Sequence, residues 1–271
     1  MRTRIIICVS VALLFLHLKE KKIFAQQPVP YVNVREADVM WSKRIWRVID
    51  LREKINLPFY YPEYNLHDRI PLFEVIKRGI SSGEIKTAFE YDAFTNEFGD
   101  EMNLTDMKKA MTEMIDVKDS AGNPVTDSFG NPMMQADTIH AGDIVQYFIK
   151  EDWFFDKQRS VMDVRIISIA PVIEVQDEYG EFRGYKPLFW LYYPDCRKYF
   201  SQFKCYNPYN DSDWRNFDEI FQKRLFGSYI SMESNVYNRP ISSYVKGDES
   251  LIESEKIKEN IFNFEQDLWH Y

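Results

Sequence analysis

Cysteine, histidine and glycine are all scarce in this chain of 271 residues, which has 3 Cys, 4 His and 10 Gly. There is no glycine-rich phosphate loop, no His-Glu-x-x-His and no Gly-x-Ser-x-Gly elbow, so nothing points to nucleotide hydrolysis, zinc proteolysis or serine-type acyl transfer. His67, His140 and His270 stand apart, and no second pair of thiols exists, so neither a triad nor a metal cage is expected. No cofactor is implied. Positive charge is also in deficit, with 34 Lys and Arg against 42 Asp and Glu, a formal net charge of -8. Such a chain repels phosphates at long range, which argues against nucleic acid or an anionic membrane surface as main partner and favours a basic protein surface.

Long apolar runs are missing apart from one near the start. Arg2 and Arg4 precede Ile5 to Leu18, and Lys19-Glu20-Lys21-Lys22 then leads to Ile23-Phe24-Ala25. Basic end, apolar middle and small residue make the layout of a secretory signal peptide, and the run falls short of the ~20 apolar residues of a membrane span. Residues 1–25 are read as that signal, with the mature chain starting at Gln26. The charged patch at Lys19–Lys22 keeps an uncleaved anchor as the alternative reading. Cys8 has only Ile5 to Ile7 as apolar residues before it, too few for a lipoprotein signal, so no lipid and no direct membrane insertion are expected. Cleavage would remove five basic groups (Arg2, Arg4, Lys19, Lys21, Lys22) and one acidic group (Glu20), moving the net charge from -8 to -12. Cys196 and Cys205 would then be the remaining cysteines, in a compartment where disulfides persist. Sequence spacing leaves a bridge and two separate thiols equally open.

Aromatic residues make up 16% and hydrophobic ones 45%, enough for a substantial core and against disorder over most of the length. A long helix is expected from about Val34 to Leu57, with Asn33 and Glu36 as capping signals, Ala37, Trp41, Ile45, Val48 and Ile55 as its stripe, and Pro58 as its stop. Shorter helices are expected near Leu72–Arg78, Asn103–Met114 and Trp214–Phe226, the last opened by Ser212 or Asp213. A second long helix opens on the box Ser250 to Glu253 and carries Ile257, Ile261, Phe264 and Leu268. Strands are expected at Glu84–Glu90, Ile144–Lys150, Val161–Val175 and Lys186–Tyr193. Between Asp119 and Met134 the turn Asp119-Ser120-Ala121-Gly122-Asn123-Pro124 returns as Asp127-Ser128-Phe129-Gly130-Asn131-Pro132, a turn-rich excursion at about 119–135. Helices flanking a run of strands predict an α+β fold: one domain over 26–271, a mostly antiparallel central sheet, and long helices at both ends.

The carboxylates Glu151 and Asp152 beside Trp153 are the nearest approach to a glycosidase pair, but they read better as a charged strand end. No catalytic residue is assigned. Aromatic and arginine residues cluster at Trp41-Ser42-Lys43-Arg44-Ile45-Trp46-Arg47 and at Tyr237-Asn238-Arg239-Pro240-Ile241. Since Trp, Tyr and Arg concentrate binding energy, Trp41, Arg44, Trp46, Arg47, Tyr237 and Arg239 are the interface candidates. A peptidoglycan- or carbohydrate-binding module is the competing reading, and a carboxylate hydrolase a third.

Arg35-Glu36-Ala37-Asp38-Val39-Met40-Trp41, Arg47-Val48-Ile49-Asp50-Leu51-Arg52, Leu188-Phe189-Trp190-Leu191-Tyr192-Tyr193-Pro194-Asp195, Arg224-Leu225-Phe226-Gly227 and Asn238-Arg239-Pro240-Ile241 together resemble the GldN/PorN family of the type IX secretion and gliding machinery of Bacteroidetes. The likeness spans nearly all of the mature chain. It implies a non-catalytic periplasmic subunit that self-associates in a ring with a GldK/PorK-type outer-membrane lipoprotein and contacts a GldM/PorM-type inner-membrane motor component. Such a subunit would sit at the inner face of the outer membrane through its lipoprotein partner. Cys196 stands where relatives often carry another residue, so the resemblance supports no family-wide disulfide. Intact-mass and N-terminal analysis of protein recovered from the cell envelope is expected to show a chain starting at Gln26; a full-length product would mean a retained anchor.

Overall fold

The first long element is a strand, Val39–Asp50 (β1), paired along its length on one side and over Ile45–Val48 on the other. It pairs antiparallel with Ile144–Asp156 (β6), from Val39↔Asp156 to Asp50↔Gln146, and with Tyr229–Glu233 (β10), from Ile45↔Glu233 to Val48↔Tyr229. This corrects the helix expected over Val34–Leu57. The apolar spacing there fits a period of 3.6, but Trp41, Ile45 and Ile49 fit a period of 2 as well, and a two-sided ladder favours β-branched and aromatic residues. The capping signal shrinks to a 3-10 turn at Glu36–Asp38, and Pro58 lies in the first turn of a short helix, Leu57–Tyr60 (α1).

The computed structural model describes residues 27–271 apart from 64–65, 67–68, 93–95, 117–124, 127–132, 178–179, 209, 211–214 and 269–271. The expected signal segment, most of the turn repeat and the expected helix start at Ser212 or Asp213 lie outside the described residues. Leu72–Ser82 (α2) ends on Gly83 in the left-handed region, φ 73°, as a helix-ending glycine should. Ala88–Tyr91 (β2) and Phe98–Glu101 (β3) follow. The expected helix Asn103–Met114 divides into Leu104–Ala110 (α3), capped by the Asn103 side chain, and Thr112–Asp116 (β4), which pairs with Met134–Thr138 (β5) as a separate ribbon. Val161–Gln176 (β7), Phe182–Pro187 (β8) and Trp190–Tyr192 (β9) come next. Tyr193 begins a helix, Tyr193–Phe200 (α4), with Pro194 in its first turn. Phe217–Gln222 (α5) is capped by Asn216, whose side chain accepts from the Glu219 amide at 2.8 Å. Glu249–Leu268 (α6) closes the fold.

The main sheet has eight strands in the order β10-β1-β6-β7-β9-β2-β3, with β8 on β7, and its pairings are antiparallel. The α+β class and the antiparallel sheet are as expected. Ile49, Tyr147, Ile149, Ile169 and Leu191 of the sheet meet Phe59, Val75, Ile76, Phe200 and Phe221 of α1, α2, α4 and α5. Each such buried side chain contributes about 1.5–3 kcal/mol. The long C-terminal helix is also as expected: Ile257 and Ile261 of α6 seat on Ile45 and Ile230, and Trp41 packs on Phe264 at 4.9 Å between ring centres. Ser254 Oγ on the same helix accepts the Ile230 amide at 2.7 Å, which satisfies a donor of the edge strand.

Gly79 carries the tightest helix–loop approach: a Cβ there would meet Ile85 at 2.5 Å and Tyr199 at 2.9 Å. Gly79→Ala is therefore expected to destabilise by about 1–3 kcal/mol despite the alanine's better helix propensity, measured by urea unfolding.

Candidate protein-interaction surface

Side chains of a strand alternate between the two faces of a sheet, so β1 divides the first aromatic-arginine cluster. Trp46 is buried with Ala170, Trp190 and Met232, and its indole N–H donates to the Asn96 carbonyl at 3.0 Å. Arg47 is buried too, donating to Ser228 Oγ at 3.0 Å and to the Ser228 carbonyl at 3.1 Å; burial holds its guanidinium below the ordinary value. Arg44 is shifted the other way by its fork on Asp152, at 2.7 and 3.0 Å. Trp41 is half-buried under α6. Most of this cluster is thus consumed in joining β1 to β6, β10 and α6.

The second cluster projects from the fold. Val236 and Tyr237 are 95% and 75% exposed, at the tip of the loop that follows β10. The Arg239 guanidinium lies between two rings, 5.0 Å from the Tyr237 centroid and 5.5 Å from that of Tyr244. Short-range bonds hold the tip in shape: the Tyr237 amide donates to Asn235 Oδ1 at 3.0 Å, the Asn238 amide to the Asn235 carbonyl at 3.1 Å, and Ser243 Oγ to the Pro240 carbonyl at 2.7 Å. Asn238 takes the positive φ of 42° that this turn demands, a region asparagine tolerates better than most residues. Ile241 then buries itself against Ile45 and Ile257. Burial raises the Tyr244 phenol above its ordinary value, and the nearby Glu253 and Glu233 carboxylates add to the rise. Glu253 belongs to the first turns of α6, where Leu251 and Ile252 are more than half exposed.

Tyr237 and Arg239, singled out in the sequence as interface candidates, are exposed in the fold; Val236, Tyr244, Leu251 and Ile252 were not singled out. The signal for the last two was their position off the Ile257–Ile261 stripe, where a helix in solvent ordinarily carries polar groups.

Glu151 and Asp152 do not converge. Glu151 is fully buried and accepts from Arg224 at 2.7 and 3.2 Å and from the Trp153 indole at 3.0 Å, while Asp152 is held by Arg44. Cys196 and Cys205 are two separate buried thiols, donating to the Tyr192 and Arg215 carbonyls, each at 3.3 Å. Burial pushes the Cys196 thiol far above its ordinary value and keeps it protonated. Among the described residues no three His, Cys, Asp or Glu side chains are grouped to hold a metal ion, and no helix is long and apolar enough to cross a membrane.

A comparison with curated proteins finds no match. The model of one protein family, described as gliding motility associated protein GldN, matches residues 34–270, which include every strand of the sheet, the Tyr237–Tyr244 tip and all of α6. By that match over nearly its whole length, the chain belongs to the GldN family of gliding motility associated proteins.

Proposed function

We propose that this chain is a non-catalytic structural subunit of a periplasmic ring in the type IX protein secretion and gliding machinery. It is held at the inner face of the outer membrane by a lipoprotein of the GldK/PorK type, and it also contacts a GldM/PorM-type motor component. The observation that carries the binding part of this reading is the tip: Val236, Tyr237 and the ring-stacked Arg239, exposed on a loop that is itself anchored by Ile241. Aromatic and arginine side chains held in shape before binding lose little freedom on docking, and so supply affinity with few contacts. The acidic net charge of -8 steers encounters with a basic partner surface.

Affinity purification from envelope extracts, with electron microscopy of the particles, tests this reading. A stable lipoprotein complex in ring form is expected; a lone monomer that sediments with cell-wall sacculi would favour the carbohydrate-binding reading instead. Tyr237→Ala with Arg239→Ala is expected to weaken partner recovery by at least about tenfold while leaving the unfolding midpoint near that of the parent, because both side chains lie outside the core.

A further inference from the structure

Among the described residues Arg165 of β7 has no carboxylate partner, whereas the neighbouring Lys43, Arg44 and Lys150 each have one. Across the strand pairs Arg165 faces Asp152, and Asp152 faces Arg44, but the Asp152 carboxylate is forked by Arg44 at 2.7 and 3.0 Å. Lys150 is taken by Glu97, and Lys43 by Glu233 at 2.6 Å. Among the described residues no carboxylate lies within ion-pair distance of Arg165. It donates to the Val32 carbonyl and lies 5.7 Å from the Tyr31 ring centre and 4.9 Å from that of Phe154. Its Nε–H is buried and meets no acceptor among the described residues, a costly state for a charged donor.

A groove of about 540 Å³ opens beside it, lined on its polar side by Arg44, Arg165, Ser234 and Asn238 and on its apolar side by Phe154 and Ile167. Ser234 and Asn238 belong to the loop that carries the exposed tip, so groove and tip are continuous. We propose that this groove receives a single carboxylate side chain of a partner protein, presented on an extended segment next to an apolar residue. The uncompensated guanidinium charge of Arg165 at the groove matches a carboxylate, and the apolar wall matches a neighbouring aliphatic group. A dianionic phosphate fits less well, because Glu97 and Asp152 stand on the same wall. A long acidic tract is repelled by the net charge of -8, so one carboxylate rather than many is the ligand.

This rests on the reading of the chain as a protein-binding subunit, but it fails separately. The Arg165 Nε–H resonance, assigned in the wild type by its nuclear Overhauser contacts to the Tyr31 and Phe154 rings, is followed by NMR while the intact protein is titrated with a blocked pentapeptide holding one glutamate among leucines. The same peptide with glutamine, and inorganic phosphate, are the comparison probes. Saturable movement of that resonance with the glutamate peptide is expected, with at least about tenfold weaker binding of the glutamine peptide and of phosphate, and a comparable loss in Arg165→Lys, which keeps the charge but not the guanidinium. Equal binding of the two peptides, phosphate binding as tight as the glutamate peptide, or an unmoved resonance would each overturn the proposal. If the resonance stays still while the Tyr237 and Arg239 substitutions release the partner, the groove assignment falls and the binding role stands. The wild-type resonance decides even where the variant folds poorly.

Discussion

β1 takes hydrogen-bonded partners on both sides at Ile45–Val48, and most of the architecture follows from that requirement. β6 pairs with β1 along its length and β10 over Ile45–Val48, so the strand depends on one partner about a hundred residues away and another near the C-terminus. Alternation along β1 then commits Ile45 and Ile49 to the helix-covered face and Trp46 to the other. The buried Arg47–Ser228 and Glu151–Arg224 bonds tie the segment before β10 to β1 and β6, so that polar groups in this part of the core are matched rather than stranded.

A second tie fixes the N-terminal stretch. Arg197 and Asp218 are both buried and bonded at 2.8 and 3.2 Å, and Arg197 also reaches the Val29 carbonyl at 2.6 Å beneath the Tyr31 ring. Breaking one side of such a pair leaves a charge in a dry site, so it acts as a register pin for α4, α5 and the segment ahead of β1 more than as a source of net stability. That segment also lays Val32 against Arg165.

The binding reading and the fold are connected through β10. This edge strand is short, its Ile230 amide is capped by Ser254, and α6 lies over it, which blunts indiscriminate strand pairing. What remains accessible is the loop beyond it, where Val236, Tyr237 and Arg239 project and where Ser234 and Asn238 turn toward the Arg165 groove. Specific chemistry is presented at the place where unspecific association has been suppressed.

Sequence alone determined the α+β class, the antiparallel strands of the middle, the C-terminal helix with its Ile257–Ile261 stripe, and the family, because each depends on local periodicity, turn residues or word-like stretches of residues. It also singled out Tyr237 and Arg239, whose exposure follows from turn-forming neighbours. Three things were decided only by the tertiary structure. Residues 39–50 read as helix or strand equally well until β6 supplies partners on one side and β10, over Ile45–Val48, on the other. Of the Trp41–Arg47 cluster, equally suited to an interface, Trp46 and Arg47 are buried and Trp41 and Arg44 half-buried because the strand lies inside the sheet. The want of an anion at Arg165 emerges only when β1, β6 and β7 lie side by side and Arg44 takes the carboxylate between them, a competition among residues far apart in the chain.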